Sequence, residues 1–223
     1  MIFIRQLLLL LAAIWLTACA QLPAQGEAHV DREAGIAAAN PMAVEAGLEV
    51  LAAGGTAADA AVAVQAMLGL VEPQSSGLGG GAFLLYYDAT TRAVTAFDGR
   101  EVAPAGATSG MFLDEKGEPL SYHDAVLSGR STGVPAAIAM LGAAHARHGA
   151  LPWQRLFEPA IRAAESGFTV PQRLARFANS TASQAAEPDV RALFSRADGS
   201  PVQAGDHMTN TAYASTLRQI ATH

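Results

Sequence analysis

The chain has 223 residues, of which 51% are hydrophobic and 15% are charged, and its formal net charge is −6 at pH 7. This composition excludes a disordered chain, and the length allows one sizeable domain. The acidic balance and the lack of a basic patch in the sequence argue against a nucleic-acid partner.

Residues 1–18 have the pattern of a secretory signal peptide. Arg5 gives the positive charge near the N-terminus, and Leu7–Leu16 is an apolar run too short to span a bilayer comfortably. Leu16-Thr17-Ala18-Cys19 resembles the lipobox of bacterial lipoproteins, in which the cysteine becomes the lipidated first residue. We therefore predict lipidation at Cys19; an ordinary signal peptide with an incidental cysteine is the alternative.

Residues 19–33 lack periodicity and are interpreted as a tether to a domain that spans residues 34–223. Cys19 is the only cysteine, so an intramolecular disulfide is excluded. We expect the mature chain on the periplasmic side of a bacterial cell envelope, in contact with the membrane through its lipid anchor only. A soluble periplasmic protein is the alternative.

The domain is predicted to begin with a strand and a helix. Gly35–Ala39 is a short apolar run typical of a strand. Asn40 is suited to cap a helix whose first residue is Pro41, and Gly54-Gly55 is suited to end it.

A second helix is predicted over residues 57–71. Thr56 is its cap, and Asp59 favours the positive end of the helix. Only Asp59 and Gln65 are polar in this segment. We therefore expect the helix to be buried on all sides.

A glycine-rich loop and a hairpin follow. Gln74–Gly81 contains four glycines, which permit positive φ and close backbone approach, so we expect another chain segment or a ligand to lie against it. Ala82–Tyr87 and Ala93–Phe97 are predicted strands joined by a hairpin loop, Asp88–Arg92. The glycines imitate a dinucleotide fingerprint, but they precede a strand and no helix opens after them, so no cofactor is predicted.

The rest of the chain is predicted to be mostly helical. The expected helices run from Pro135 to about His148, from Pro152 with a kink or restart at Pro159, in patches from Pro171 to Arg196, and from about Thr211 to Ala221. Three or four predicted strands are too few to form a complete sheet by themselves, so the chain resembles one part of a larger layered domain.

Several motifs in a fixed order resemble the large-subunit half of the gamma-glutamyltransferase, or glutathione hydrolase, family. They are AANPMAVEAGLEVLAAGGTAADAAVAVQAMLGLVEP, PQSSGLGGGAF, DGREVAPA, LSGRSTGVPAAIAML, LPWQRLFEPAIRAAESGFTV and PVQAGD. The resemblance extends from Ala34 to the end of the chain. It implies an α+β chain that forms part of the αββα four-layer fold of the N-terminal nucleophile hydrolases.

Arg100 is the main candidate for substrate binding. A guanidinium can hold a carboxylate through two parallel hydrogen bonds, and Arg100 follows a strand in a glycine-containing turn. The resemblance implies that Arg100 binds the α-carboxylate of the γ-glutamyl group, and Glu101 could orient Arg100 or approach the substrate's amino group. From the residues alone, a salt bridge between Arg100 and Asp98 or Glu101 is the alternative.

Other candidates are weaker. His145 and His148 lie three residues apart on a predicted helix, but no third metal ligand is indicated, so no metal site is predicted. Ser75 and Ser76 are not in a nucleophile-elbow motif and are interpreted as small residues packed under a strand.

The resemblance implies a nucleophilic threonine at the N-terminus of a small subunit, exposed by self-cleavage within a Thr-Thr-His-like motif. Thr90-Thr91-Arg92 and Ala221-Thr222-His223 imitate this motif, but neither lies where the family places it. We therefore expect a truncated large subunit without the nucleophile, inactive by itself and partnered by a small subunit from the same precursor.

Two functions follow. The first is transfer or hydrolysis of γ-glutamyl groups of glutathione-like substrates, with an acylase of the cephalosporin acylase type as a variant on the same fold. The second is a non-catalytic envelope lipoprotein that keeps the scaffold as a binding or structural module.

Overall fold

The computed structural model describes residues 34–222. The predicted signal peptide, Cys19 and the whole of the predicted tether lie outside these residues. Gly35–Ala39, predicted as a strand, has no regular secondary structure. A strand needs a neighbour for its backbone hydrogen bonds, and no segment of residues 34–222 pairs with this one. Ile36 and Ala38 instead pack against the core, so the prediction was wrong.

The described residues form nine α-helices, two short 3₁₀-helices and four strands. In chain order these are α1 (Pro41–Ala52), α2 (Ala57–Val71), β1 (Ala82–Asp88), β2 (Ala93–Gly99), α3 (Tyr122–Leu127), the 3₁₀-helix Gly129–Ser131, α4 (Ala137–His148), the 3₁₀-helix Trp153–Phe157, α5 (Glu158–Ser166), β3 (Phe168–Thr169), α6 (Gln172–Ala178), α7 (Ser183–Ala186), α8 (Pro188–Leu193), β4 (His207–Met208) and α9 (Thr211–Thr222).

The predicted caps of the first two helices are present. Asn40 Oδ1 accepts a hydrogen bond from the Met42 amide at 3.0 Å. Thr56 and Asp59 form a reciprocal capping box, in which each side chain accepts a hydrogen bond from the other residue's amide. Local sequence signals therefore suffice to define where α1 and α2 begin.

Asp59 does more than cap α2. Its side chain is fully buried, and Oδ2 also accepts hydrogen bonds from the amides of Ala150 at 2.9 Å and Leu151 at 3.3 Å. His145 Nε2 lies 3.5 Å from its other oxygen. One carboxylate thus joins the start of α2 to the turn that follows α4.

The core lies around α2, which packs against α1, α4 and α5. One side of α2 is only partly buried, at Ala61, Val64, Gln65 and Leu68. Part of this side borders a cavity of about 150 Å³ beneath β1. The predicted burial of α2 on all sides was therefore wrong for this side.

The predicted hairpin is confirmed, and both strands extend slightly beyond the expected ends. Its antiparallel register pairs Ala82 with Gly99 and Asp88 with Ala93. The inner face packs on the core, where Tyr86 stacks on His148 with ring centroids 3.9 Å apart. The outer face carries four large apolar side chains that are 59–75% exposed, Phe83, Leu85, Tyr87 and Val94. We call these four residues the outer hairpin face.

The helical second half is also largely as predicted. Pro159 lies in the first turn of α5, directly after the 3₁₀-helix, so the helix restarts there. Tyr213 of α9 donates a hydrogen bond to the Ala66 carbonyl at 2.8 Å, and burial raises the pKa of its phenol.

The β3–β4 pair was not predicted because each strand has only two residues. None of the helices in the described part of the chain has the length and hydropathy of a membrane span.

We predict that Asp59→Ala lowers the free energy of unfolding by about 2–4 kcal/mol, because it removes a cap and leaves the amides of Ala150 and Leu151 without their acceptor. Chemical denaturation measures this. Asp189→Ala is the control, because Asp189 is an exposed acid in the first turn of α8 and its loss should change stability by less than about 0.5 kcal/mol. Equal losses in the two variants would contradict the prediction.

Candidate functional site

β2 ends at Gly99 and places Arg100 at the surface. The Arg100 side chain is 69% exposed, and Nη1 donates to Glu101 Oε2 at 3.0 Å. The Arg100 amide donates to Asp98 Oδ1 at 2.9 Å, which fixes the backbone at the end of the strand. The ion pair that the sequence analysis left as the alternative is therefore present. Within the described residues the guanidinium makes no second hydrogen bond, so most of its donors face solvent.

Glu101 is held between two loops. Its backbone nitrogen lies 2.8 Å from where a Cβ on Gly81 would be, and its own Cβ lies 3.0 Å from the corresponding position on Gly133. Its own amide and then that of Gly81 lower the pKa of the carboxyl, and the charge of Arg100 adds to the effect. Glu101 is therefore ionised at neutral pH.

Close approach requires glycine only at the end of the glycine-rich loop, at Gly81. None of Gly77, Gly79, Gly80 and Gly81 has positive φ. A side chain at Gly81 would collide with Glu101, whereas Gly77 and Gly79 have no atom within 4 Å of a Cβ position. What lies against the loop is thus Glu101, and the loop runs straight into β1.

Sequence reasoning missed Glu72, which anchors the start of this loop. Its side chain is 3% exposed and forms an ion pair with Arg173 of α6 at 3.1 Å. Gln74 Nε2 donates to the same carboxylate at 2.6 Å. The available signal was an acid at the end of a long apolar run, but its partner lies about 100 residues further along the chain.

The two predicted histidines point to different partners. His145 Nε2 is 2.8 Å from the Leu151 carbonyl oxygen, whereas the His148 ring stacks on Tyr86. Residues 34–222 contain no group of three side chains that could hold a metal ion. The geometry of this pair thus gives no support to a metal centre.

The hydroxyl groups of the two serines accept hydrogen bonds near Glu72, at the start of the glycine-rich loop. Ser75 Oγ accepts from Arg173 Nη2 at 3.1 Å, and Ser76 Oγ accepts from Gln65 Nε2 at 2.9 Å. In this part of the chain neither hydroxyl has a histidine partner that would activate it as a nucleophile. Their contacts fit a structural role.

The sequence profile of the gamma-glutamyltranspeptidase family matches residues 43–223. The chain belongs to this family. It is 37% identical over 194 residues to a glutathione hydrolase proenzyme of Bacillus subtilis (strain 168), covering 87% of this chain and 33% of that protein. It is 35% identical over 188 residues to the glutathione hydrolase proenzyme of Escherichia coli (strain K12), covering 83% and 32%.

Solved structures agree with this assignment. Helicobacter pylori gamma-glutamyltranspeptidase superposes with a TM-score of 0.78 at 32% identity, over 85% of this chain and 54% of that one. A cephalosporin acylase from Bacillus halodurans superposes with a TM-score of 0.66 at 28% identity, over 82% and 34%. The predicted α+β fold, part of the N-terminal nucleophile hydrolase architecture, is confirmed. The chain spans about a third of the length of the first curated relatives it matches.

We predict that Gly81→Ala lowers stability by about 1–3 kcal/mol, because the added methyl group would meet the Glu101 carboxyl group and also lie 2.8 Å from the Glu101 backbone nitrogen, which cannot rotate away as a side chain can. Gly79→Ala is the matched control: its Cβ position is open and its φ is not positive, so we expect stability unchanged or raised by up to about 1 kcal/mol. Unfolding midpoints measure both. Equal tolerance of the two substitutions would contradict the contact.

Proposed function

We propose that this family member is the substrate-binding part of an enzyme that transfers or hydrolyses γ-glutamyl groups of glutathione and related compounds. The observation that carries the proposal is the solvent-facing guanidinium of Arg100 beside the glycine-rich loop. The names of the curated relatives, glutathione hydrolase proenzymes, give the substrate class.

In this proposal Arg100 binds the α-carboxylate of the γ-glutamyl group. The guanidinium is supported from one side by Glu101, which leaves donors on its other edge for a second carboxylate. Arg is suited to this because two parallel N–H groups match the two oxygens of a carboxylate. Glu101 keeps its charge at neutral pH and either orients Arg100 or attracts the substrate's ammonium group.

The proposed nucleophile is a threonine outside these 223 residues, at the N-terminus of a small subunit formed by self-cleavage. Its terminal amine would act as the base for its own hydroxyl. Within the chain, Thr91 lies in the exposed hairpin loop and donates its hydroxyl proton to Asp88. The DNA that follows codon 223 tests this point: an in-frame Thr-Thr-His codon run supports the enzyme, and an immediate stop codon supports the non-catalytic lipoprotein.

The outer hairpin face supports a second subunit as partner. Four large apolar side chains are exposed on a sheet that has two strands within residues 34–222, and a two-stranded sheet is marginal by itself. We propose that the small subunit of the same precursor covers this face. The isolated chain should accordingly expose apolar surface and aggregate.

The experiment for Arg100 uses a chimera in which residues 34–223 replace the matched part of the Bacillus subtilis relative. We predict that Arg100→Ala lowers kcat/KM for γ-glutamyl-p-nitroanilide, because the substrate's carboxylate loses its charged partner. The loss should correspond to a rise in activation free energy on the order of 2–5 kcal/mol. Arg100→Lys should recover only part of this, since an ammonium group cannot make the two-pronged contact. The isolated 223-residue chain should show no turnover.

Arg162→Ala is the control for the loss of an arginine. Arg162 is 55% exposed and pairs with Glu49 on α1, away from the hairpin, and exposed pairs contribute little. Near-identical kcat/KM values for the chimera and its two Arg100 variants would remove Arg100 from the site. Turnover by the isolated chain would contradict the proposed location of the nucleophile.

An acylase of the cephalosporin acylase type is the second candidate, favoured by the fold shared with the Bacillus halodurans enzyme. The same chimera distinguishes the two when it is offered γ-glutamyl-p-nitroanilide and a glutaryl amide. The glutaryl amide lacks the α-amino group, so an enzyme that uses the negative charge of Glu101 should prefer the γ-glutamyl substrate.

For localisation, we propose a bacterial envelope protein anchored through Cys19, as the lipobox predicts. Cys19→Ala should abolish labelling by a radioactive fatty acid and release the protein from the membrane fraction. Cys19→Ser is a second variant that keeps the size of the side chain. Unchanged fractionation and labelling in both variants would contradict lipidation.

A further inference from the structure

Glu72 is a buried acid at the junction between α2 and the glycine-rich loop. Its carboxylate accepts hydrogen bonds from Gln74 Nε2 at 2.6 Å and Asn40 Nδ2 at 3.4 Å, and it pairs with Arg173 Nη1 at 3.1 Å. A buried carboxylate is stable only with such partners. These partners come from the cap of α1, the loop itself and α6, so the carboxylate joins three separate segments.

The backbone of Glu72 and its ion-pair partner Arg173 set the shape of the first half of the loop. The Glu72 carbonyl oxygen accepts from the amides of Ser75 at 2.9 Å and Ser76 at 3.0 Å. Arg173 also donates to Ser75 Oγ, and Gln65 donates to Ser76 Oγ. The path of the chain from residue 72 to residue 76 is therefore fixed from both sides.

The second half of the loop connects the anchored segment, residues 72–76, to the candidate site. The Gly80 carbonyl oxygen accepts from the Ala137 amide at 3.1 Å. Gly81 lies against Glu101, which in turn pairs with Arg100. Only residues 77–79 lie between the two anchored ends, so the length left to move is short.

We propose that Glu72, with Arg173, is a positioning residue for substrate binding: it fixes the glycine-rich loop so that Gly81 and Glu101 hold Arg100 ready for the substrate's carboxylate. This inference rests on the function proposed above for Arg100. Glu72 itself does not touch the substrate. Its effect reaches the site through the loop backbone and the Glu101 carboxylate.

Hydrogen–deuterium exchange on the intact gene product tests the coupling without turnover. Glu72→Gln keeps the size of the side chain but places an amide opposite three donors. We expect at least about ten-fold faster exchange at the amides of residues 81–83 and 101–102. The amides of Ala150 and Leu151, held by Asp59, should not change.

Arg173→Gln gives a second route, because Arg173 is 53% exposed and can be replaced without opening the core. It should raise exchange at the same amides. Glu49→Gln, which breaks an exposed pair on α1, is the control and should raise none of them. Unchanged exchange at residues 101–102 in folded Arg173→Gln protein would overturn the proposal, whatever happens to Glu72→Gln.

Kinetics of the chimera separate positioning from general support. Glu72→Gln should raise KM for γ-glutamyl-p-nitroanilide by about ten-fold or more while kcat changes little. It should have little effect on 4-aminobutyryl-p-nitroanilide, which lacks the α-carboxylate, and none in the Arg100→Ala background. Equal losses on both substrates, or an additive loss in the double variant, would overturn the proposal. A chimera with native Glu72 that shows no γ-glutamyl turnover would contradict the proposed function, and the exchange experiment then decides the positioning role.

Discussion

The contact between Gly81 and Glu101 is the constraint on which the candidate site depends. Gly81 comes directly before β1, and Glu101 follows shortly after the end of β2. Their contact therefore closes the end of the hairpin that lies opposite the turn. Only glycine leaves room for the Glu101 backbone at this distance. The guanidinium of Arg100 therefore has a fixed acidic neighbour on one side and solvent on the other.

The hairpin packs on a helical core, and the sequence predicted some features of that core but not others. Caps at Asn40 and Thr56 and the proline at Pro159 act within a few residues, and the sequence predicted their consequences correctly. The pairing of Glu72 with Arg173 and the bonds from Asp59 to Ala150 join residues about 90–100 positions apart. No local pattern carries that information, so these contacts could not be predicted.

The candidate site could likewise be predicted only in part from the sequence. Arg100 and Glu101 were found through a family motif, and their ion pair follows from adjacency. The strand expected at Gly35–Ala39 was wrong because a strand depends on a partner that the described residues do not supply to it. The outer hairpin face shows the same dependence, since apolar side chains that are exposed here are typical of surfaces that another element covers. Family membership thus rests on the match over residues 43–223, whereas the proposed activity rests on the exposed guanidinium of Arg100 and on the names of the longer relatives.

In the proposed site Arg100 receives a substrate carboxylate while Glu101 supports the guanidinium. A crystal structure of the chimera with bound L-glutamate would show whether this is so. We expect two guanidinium nitrogens of Arg100 within about 3 Å of the two α-carboxylate oxygens, with Glu101 still against Gly81. Glutamate bound with its α-carboxylate on other donors, and Arg100 paired with Glu101 alone, would contradict it.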